Sequence, residues 1–241
     1  MKVCICEDYN EMSVRAAELV AYQIAAKPNC VLGLATGSTP VGLYENLIKT
    51  ENAGEVDFSG VTTFNLDEYY PISPENPQSY RYFMNERLFS RVSIDIERTH
   101  IPNGMTEDPA EECLQYEKLI DEAGGIDVQI LGIGQNGHIG FNEPDEELAP
   151  YTHITDLTPE TILANSRFFE SEAEMPRQAL TMGVESIFKA RSIIILANGE
   201  AKAEAVRCML SGNITPKCPA SFLRLHPDVT LICDKQAARL L

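Results

Sequence analysis

The stretch Leu131–Pro144, LGIGQNGHIGFNEP, is the part of the sequence that most strongly indicates the fold. It continues the apolar run Ile126–Ile133, whose length and composition predict a buried strand. The loop that follows is rich in glycine and contains a histidine, His138, and a carboxylate, Glu143. Glycine lets a backbone adopt positive φ and approach a ligand closely, and α/β sheets bind ligands beyond the carboxyl ends of their parallel strands. The stretch predicts either a ligand site at a strand end or a tight connection with an incidental histidine.

Strands and helices alternate along the rest of the chain. We predict strands at 3–6, 31–35, 61–66, 126–133, 192–197 and 229–233, and helices at 12–26, 40–49, 78–91, 109–123, 184–190 and 201–210. The strand runs are apolar throughout, which is typical of a sheet covered on both faces. No repeat, linker or low-complexity segment interrupts the pattern. The sequence therefore predicts an α/β fold: residues 1–241 form a single Rossmann-like, doubly wound domain with a mainly parallel sheet and helices on both faces.

The composition excludes several functional classes. With 241 residues, of which 44% are hydrophobic, the chain can bury a full core. A formal net charge of -17 lacks the basic footprint that nucleic acid or an anionic membrane requires, so an anionic small molecule would need a locally positive site. The sequence contains no apparent signal peptide or membrane-spanning run, and its seven cysteines lack a CxxC motif. We therefore expect a cytoplasmic protein that binds no nucleic acid and no membrane.

The turn after the second predicted strand has features of an anion site. In LATGSTP (34–40), Thr39 is predicted to be the N-cap of the next helix and Pro40 its first residue. Gly37 and Ser38 then form the turn before a helix N-terminus, where free amide groups and the helix dipole favour an anion. An ordinary capped turn explains the same residues, because the Walker and GxGxxG patterns are both absent.

Two cations elsewhere in the chain are further candidates for binding an anion. Lys202 follows the strand 192–197 and falls in the first turn of the next predicted helix. The helix dipole makes a cation unfavourable at this end of a helix, and a lysine there is better explained if its ammonium group binds an anion. Arg167 lies beside two aromatic residues, and its planar guanidinium suits phosphate better than an ammonium does. The plainer alternatives are a solvated surface lysine and a surface ion pair between Arg167 and a nearby glutamate.

Asp67 is the candidate general base. It directly follows an apolar strand in FNLDEY (64–69), and partial burial would raise its pKa toward the working range of a base. Glu68 is the competing candidate, and a solvated acidic pair is the third reading. We expect no metal site, because the four histidines are far apart and no cluster has metal-ligand spacing. The GxSxG motif of a serine hydrolase is also absent.

Five motifs together closely resemble the glucosamine-6-phosphate deaminase family, in order and in spacing, over essentially the whole chain. They are TGSTP (36–40), FNLDEY (64–69), GIGQNGHIGFNEP (132–144), NSRFF (165–169) and the lysine-bearing turn at 198–202. The pairing of NLDEY with GHIGFNEP is specific, whereas each anion turn alone is not. The family belongs to a wider Rossmann-like group with the 6-phosphogluconolactonases, which share the phosphate loop but lack that pairing.

The resemblance implies an enzyme of amino sugar (N-acetylglucosamine) catabolism that converts glucosamine 6-phosphate and water to fructose 6-phosphate and ammonia, without a metal or an organic cofactor. His138 matches the residue that shuttles a proton as the sugar ring opens, and Glu143 matches the carboxylate that orients it. Asp67 matches the base that moves a proton from carbon 2 to carbon 1. The residues that match the phosphate site are Gly37, Ser38, Thr39, Arg167 and Lys202.

The sequence departs from the family pattern at two places. Some members carry Asp at the position of Asn136, so here only Glu143 can supply a carboxylate, and we predict that Asn136 still positions His138 by hydrogen bonding. In hexameric, allosteric members the segment after FNEP grips the phosphate of N-acetylglucosamine 6-phosphate, whereas the matching positions here include Glu146 and Glu147. Because carboxylates repel an anion, we expect a monomer or a low-order homo-oligomer without that effector.

Three further hypotheses remain open. The polar, weakly patterned segment at about 155–175 is either a lid-like cover over the sugar or an ordinary surface loop. A 6-phosphogluconolactonase-like hydrolase would need no base at carbon 2, so Asp67 discriminates against it. A non-catalytic sugar-phosphate-sensing domain is disfavoured because Asp67, His138 and Glu143 are all present and no DNA-binding segment accompanies them.

Overall fold

A computed structural model describes residues 1–159, 161–162, 169 and 174–241 of the chain. In these residues the strands are β1 (Lys2–Cys6), β2 (Val31–Leu34), β3 (Thr62–Asn65), β4 (Asp67–Tyr70), β5 (Thr99–His100), β6 (Val128–Gly132), β7 (His153–Asp156), β8 (Gln178–Thr181), β9 (Ser192–Ala197) and β10 (Val229–Asp234). The α-helices are α1 (Tyr9–Ala26), α2 (Val41–Asn52), α3 (Tyr80–Arg87), α4 (Pro109–Glu122), α5 (Val184–Phe188) and α6 (Ala203–Leu210).

Seven strands form one parallel sheet in the order β1-β10-β9-β6-β2-β3-β5. The chain builds β2, β3 and β5 outward in one direction, then returns to place β6 beside β2 and builds β9 and β10 in the other direction. The order therefore reverses between β2 and β6. Open α/β sheets bind their ligands at such a reversal, outside the carboxyl ends of the strands. The predicted doubly wound architecture is confirmed, and the fold itself marks one edge of the sheet as the place for a site.

Helices pack against both faces of this sheet because its strands carry apolar residues on both sides. On one face, buried side chains of α1, α2 and α3 contact Leu32, Leu34 and Ile130. On the other face, side chains of α4, α5 and α6 contact Leu131 and Ile195. Residues buried on both faces of a strand cannot alternate with polar ones, which explains the continuous apolar runs in the sequence.

Local sequence signals determine where several helices begin. The Asp8 carboxylate accepts a hydrogen bond from the backbone N–H of Glu11 at the start of α1, and the Ser79 hydroxyl accepts one from Tyr82 at the start of α3. Asp108 caps α4, with Pro109 as its first residue. Side-chain oxygens at these positions satisfy amide groups that have no partner inside the helix.

A second, smaller sheet was not predicted. It contains three antiparallel strands in the order β4-β8-β7. A single residue, Leu66, separates β3 from β4. The chain therefore passes almost directly from the main sheet into the second sheet. The strands have four residues each and mix charged, polar and apolar side chains, and the pattern in the sequence is correspondingly weak. This sheet holds Asp67 at the carboxyl edge of the main sheet.

The proposed lid-like segment, about 155–175, overlaps this second sheet at its start. Residues 155 and 156 belong to β7, and the positions 160, 163–168 and 170–173 lie outside the described residues. Its role as a cover stays a prediction. Among the described helices, none combines the length and the apolar character needed to cross a lipid bilayer.

Candidate active site

The loop after β6 lies at the reversal point of the main sheet and carries the imidazole of His138. A Cβ at Gly134 would lie 2.3 Å from the His138 Cε1 atom, so only glycine leaves room for the ring at this position. Asn136 supports the same loop, because its Oδ1 accepts a hydrogen bond of 3.1 Å from the backbone N–H of His138. The imidazole is held close to the loop backbone, with its side chain 28% exposed.

Glu143 binds the imidazole from the other end of this loop. Its Oε2 lies 3.0 Å from Nδ1 of His138 and accepts a hydrogen bond of 2.7 Å from Nδ2 of Asn136. Its Oε1 accepts a hydrogen bond of 2.7 Å from the hydroxyl of Thr161. Nε2 of His138 has no hydrogen-bond partner in the part of the chain that the structure describes, so this nitrogen is available to a ligand.

The surroundings of Glu143 favour its ionised form. Burial alone would raise its pKa, but the hydrogen bond and the charge interaction with His138 oppose that effect, as do the hydrogen bonds from Thr161 and Asn136. The net result is a pKa lowered to about 2. A carboxylate that stays ionised beside an imidazole fixes the orientation of the ring and stabilises its protonated form.

Hydrogen bonds from the second sheet hold the β6 loop in place. The Thr181 hydroxyl at the end of β8 accepts a hydrogen bond of 3.1 Å from the backbone N–H of Phe141. Asn142 is fully enclosed, and its Nδ2 donates to the carbonyl groups of Ile139 and Met182 at 2.9 and 2.8 Å. The loop is thereby attached to the sheet that also carries Asp67.

Asp67 reaches the β6 loop because β4 pairs with β8, where it lies opposite Thr181. A Cβ built on Gly140 would be 3.6 Å from Oδ2 of Asp67, and Gly140 is two residues from His138. The structure therefore brings Asp67 and the His138 loop together, although they are far apart in the sequence and come from different strands.

Asp67 and Glu68 have different surroundings although they are neighbours. The carboxylate of Glu68 accepts hydrogen bonds from the backbone N–H groups of Tyr69, Tyr80 and Arg81, two of which lie at the start of α3. The side chain of Asp67 accepts no hydrogen bond from any described residue and is only 6% exposed. Burial, followed by the negative charge of Glu68, raises the pKa of Asp67 to about 8.

The two acidic neighbours are therefore distinguished by structure. Burial also raises the pKa of Glu68, to about 7, against the lowering effect of its three backbone hydrogen bonds. Those hydrogen bonds hold the Glu68 carboxylate at the start of α3. The Asp67 carboxylate accepts no hydrogen bond from a described residue, so it can accept a proton at the site. Of the two candidates that the sequence leaves open, the geometry favours Asp67 as the proton acceptor.

The turn after β2 offers free amide groups to an anion. Gly37 has a φ of +92°, which an L side chain rarely adopts. Within the described part of the chain, the backbone N–H groups of Gly37, Ser38 and Thr39 donate no hydrogen bond. Unpaired amide groups before a helix N-terminus are a common feature of phosphate sites.

The predicted N-cap at Thr39 is wrong. The helix begins at Val41, and Pro40 occupies the cap position but has no side-chain group that could form a cap hydrogen bond. The Thr39 hydroxyl instead donates to Oδ1 of Asn198 at 2.9 Å, and the Tyr9 hydroxyl accepts from the N–H of Gly42 at 2.8 Å. Tyr9 thus satisfies an amide that a side-chain cap would have bound, and Thr39 is free to bind a different strand end.

The hydrogen bond from Thr39 to Asn198 joins the turn after β2 to the turn after β9. Lys202 ends a short 3-10 helix, Glu200–Lys202, at the start of α6. Burial lowers the pKa of Lys202, and its ammonium group has no hydrogen bond or ion pair with a described residue. A partly buried cation without a partner among the described residues, just after β9, supplies local positive charge in a protein of net charge -17.

Arg167, the other predicted phosphate ligand, lies outside the described residues. Eight of the nine predicted site residues are described. The catalytic group, Asp67, Asn136, His138 and Glu143, and the anion group, Gly37, Ser38, Thr39 and Lys202, both lie at the carboxyl edge of the main sheet.

Three residues at the site were not singled out from the sequence. Thr161 binds Glu143, Thr181 binds the His138 loop, and Asn198 binds Thr39. Each acts through one hydroxyl or amide group on a partner at least 18 residues away, and such a contact leaves no periodic or spacing signal. The NG turn at Asn198 is recognisable, but its partner is not.

The fold and the site together are those of an α/β enzyme, with a buried acid, an imidazole–carboxylate pair and a turn with unpaired amide groups at the carboxyl edge of its main sheet. The family model described as glucosamine-6-phosphate isomerases/6-phosphogluconolactonase matches residues 8–232. A glucosamine-6-phosphate deaminase of Thermoanaerobacter pseudethanolicus is 58% identical over 241 residues, which are 100% of this chain and 95% of that protein. The chain belongs to the glucosamine-6-phosphate isomerase/6-phosphogluconolactonase family.

Solved structures agree with this assignment. A monomeric glucosamine-6-phosphate deaminase has a TM-score of 0.97 and 46% identity, with all of both chains covered. A 6-phosphogluconolactonase from Trypanosoma cruzi has a TM-score of 0.79 and 21% identity, and covers 100% of this chain and 96% of its own. At that identity the second likeness concerns the fold alone.

Proposed function

We propose that this protein is a glucosamine-6-phosphate deaminase, which converts glucosamine 6-phosphate and water to fructose 6-phosphate and ammonia in amino sugar catabolism. The observation that carries the proposal is the position of Asp67. It is a buried carboxylate to which no described residue donates a hydrogen bond, and it adjoins the loop that holds the His138–Glu143 pair. The high identity to relatives of that name supports the same substrate.

His138 and Glu143 would open the sugar ring. Opening the ring requires a proton to leave the anomeric hydroxyl and another to reach the ring oxygen, and an imidazole with one free nitrogen can carry it. Glu143 holds Nδ1 at 3.0 Å and so directs Nε2 toward the substrate. Asn136 would keep this arrangement, since it binds the backbone of His138 and the carboxylate of Glu143.

Asp67 would then move the proton that isomerises the sugar. It takes the proton from carbon 2 of the open aldose while the aldehyde oxygen gains a proton from the substrate's own ammonium group, which leaves an enolamine, and it then gives the carbon 2 proton to carbon 1. The product is a ketose iminium ion, to which water adds at carbon 2 and from which ammonia leaves. A carboxylate with a pKa of about 8 is a stronger base than an ordinary aspartate, and no described residue donates a hydrogen bond that would compete with the proton.

The amide groups of Gly37, Ser38 and Thr39 and the ammonium group of Lys202 would bind the phosphate. We also assign Arg167 to this group from the resemblance. The site is then positive only locally, which accommodates an anionic substrate in an acidic protein. We further propose that the protein works in the cytoplasm as a monomer without the allosteric effector, which the exposed Glu146 and Glu147 would repel.

One assay separates the deaminase from a lactonase. Purified protein is given glucosamine 6-phosphate, and ammonia and fructose 6-phosphate are measured with and without EDTA. In parallel, it is given 6-phosphogluconolactone. We expect equal amounts of both products from the amino sugar, no effect of EDTA and negligible lactone hydrolysis.

The Asp67→Asn variant tests the role of the base. It should lower kcat for deamination by about a thousandfold, because an amide cannot accept the carbon 2 proton. The matched control is Asp121→Asn, an exposed aspartate of α4, which should match wild type. Lactone hydrolysis without ammonia release, or full deamination by Asp67→Asn, would refute the proposal.

The phosphate half of the site has its own test in Lys202→Met. Loss of the ammonium group should raise KM for glucosamine 6-phosphate about tenfold with little change in kcat, because the cation contacts the substrate away from the reacting carbons. The control is Lys118→Met, whose side chain is 64% exposed on α4. An unchanged KM would place the phosphate elsewhere.

A further inference from the structure

Thr161 is the only described residue that binds Oε1 of Glu143. The other carboxylate oxygen, Oε2, already accepts from Asn136 and His138, at 2.7 and 3.0 Å. The Thr161 hydroxyl donates to Oε1 at 2.7 Å, and Thr161 is 8% exposed. Both oxygens of the carboxylate are therefore held, and the plane of the carboxylate is defined by donors on its two sides.

The direction of the hydrogen bonds follows from the charge on Glu143. An ionised carboxylate can only accept, so the single proton of the Thr161 hydroxyl must point toward it. The Thr158 hydroxyl, 3.1 Å from that of Thr161, must then be the donor of this pair. Thr158 also accepts the backbone N–H of Thr161 at 3.2 Å, which holds Thr161 in place. The result is a directed chain from Thr158 through Thr161 to Glu143.

We propose that Thr161 is a positioning residue for the reaction, which acts on the His138 imidazole by holding the Glu143 carboxylate. The inference rests on the proposed function, since it concerns the group that would open the sugar ring. Without Thr161, Glu143 keeps only donors to Oε2 and can rotate about its last torsion angle. The imidazole then loses its fixed direction, and misplacement of a catalytic group reduces the rate rather than the binding of substrate.

The location of Thr161 gives this contact a second consequence. Thr161 lies at the start of the segment between β7 and β8, and Glu143 lies in the loop after β6. The hydrogen bond between them is the described link between this segment and the catalytic carboxylate. A displacement of Thr158 or Thr161 would therefore act on the imidazole through the Thr161 hydroxyl group.

The test compares Thr161→Val, which keeps the shape and removes the hydroxyl, with Thr161→Ser, which keeps the hydroxyl. We expect Thr161→Val to lower kcat about tenfold and to leave KM within about twofold, because a hydrogen bond to a charged group is lost away from the substrate. Thr161→Ser should restore kcat to within about twofold of wild type. Thr230→Val, a threonine of β10 without a side-chain hydrogen bond to a described residue, is the matched control.

A double-mutant cycle separates a positioning role from a merely structural one. In a Glu143→Asp background the shortened carboxylate no longer reaches Thr161, so adding Thr161→Val should change kcat by less than about twofold. A tenfold loss in both backgrounds, or wild-type kcat in Thr161→Val, would overturn the inference. Thr161→Ala replaces the valine variant if the latter has a melting temperature well below that of wild type. Failure of wild type to release ammonia would instead refute the proposed function.

Discussion

The site contains two carboxylates, Asp67 at the start of β4 and Glu143 in the loop after β6, and their surroundings shift their pKa values in opposite directions. Asp67 is buried, has no donor among the described residues and stands beside the acidic Glu68, and its pKa is raised to about 8. Glu143 accepts from three side chains, and its pKa is lowered to about 2. Both are withdrawn from water, but Glu143 is less deeply buried and has an imidazole partner and hydrogen-bond donors, whereas Asp67 has an acidic neighbour, and these differences together separate their pKa values.

The difference teaches how one chemical group can have two functions in one site. A carboxylate with a raised pKa accepts a proton readily, and a carboxylate with a lowered pKa stays charged and stabilises a neighbouring cation. In our proposal Asp67 moves the carbon 2 proton, and Glu143 supports the imidazole. The contrast between them can be broken or sharpened by experiment.

The largest expected effect after loss of the base comes from Glu143→Gln. This change removes the charge beside His138 and places an amide N–H₂ group where a donor already points, so kcat should fall about a hundredfold. The measurement is ammonia release at saturating substrate. Glu122→Gln on α4, in an exposed ion pair with Lys118, is the control and should match wild type. Retention of full activity would mean that the Glu143 charge has no part in the reaction.

The pH dependence of kcat/KM examines the other carboxylate. Asp67 must be ionised to accept a proton, and its pKa is raised to about 8, so kcat/KM should fall tenfold per pH unit as the pH drops below about 8. An aspartate at its ordinary pKa, 3.8, would give a flat profile down to about pH 4. A flat profile would contradict the described surroundings of Asp67.

The variant Glu68→Gln distinguishes the base from ionisation of the substrate. The charge of Glu68 contributes to the raised pKa of Asp67, so its removal should move the acidic limb to lower pH. The amide oxygen can still accept the N–H groups of Tyr69 and Tyr80, which both bind Oε1 in the wild type. If the fall in kcat/KM at low pH came instead from ionisation of the phosphate or the amine of the substrate, the Glu68→Gln variant would show the same pH profile as wild type.

The smallest effect concerns stability. The folded-state pKa of Asp67 is above its ordinary value, so the folded protein keeps a proton that the unfolded chain releases above about pH 4. Stability from this group is fully present below pH 4 and is lost as the pH rises toward 8. Asp67→Asn removes this loss, so the variant should be more stable than wild type at pH 9 and as stable as wild type near pH 4. For a chain of this size, each kcal/mol of free energy of unfolding gained should raise the melting temperature by about 2 to 4 °C.

Thermal unfolding monitored by circular dichroism at both pH values checks this expectation. Asp121→Asn, an exposed aspartate, should show no difference from wild type at either pH. A lower melting temperature for Asp67→Asn at pH 9 would mean that the Asp67 carboxylate makes stabilising contacts in the folded protein.

Much of the fold could be predicted from local patterns in the sequence. The apolar runs that became β2, β6, β9 and β10 are buried on both faces, and such runs are readable without knowledge of their neighbours. The second sheet was missed because its strands have four residues each, and β4, with the sequence DEYY, carries two acids. It is stabilised by pairing with β8, a segment far along the chain, and pairing over such a distance has no local signal.

The candidate site residues could be named from the sequence, but the contacts that they make in the structure could not. The identities of Asp67, His138 and Glu143 follow from motifs, whereas the donor at Thr161 and the true cap at Tyr9 do not. The error at Thr39 has the same origin. A threonine before a proline is a typical N-cap, but here its hydroxyl binds Asn198, in the turn that follows a strand two positions away in the sheet.

The sequence by itself determined which residues stand at the ends of the parallel strands. A strand that is buried on both faces requires a continuous run of apolar residues, and the turns that follow these runs contain glycine. Only the tertiary structure decided what each acidic residue at those ends can do. A pKa depends on the water removed and the donors supplied by distant parts of the chain. Among the described residues, Asp67 is buried beside an acidic neighbour without a donor, whereas Glu143 accepts hydrogen bonds from three side chains.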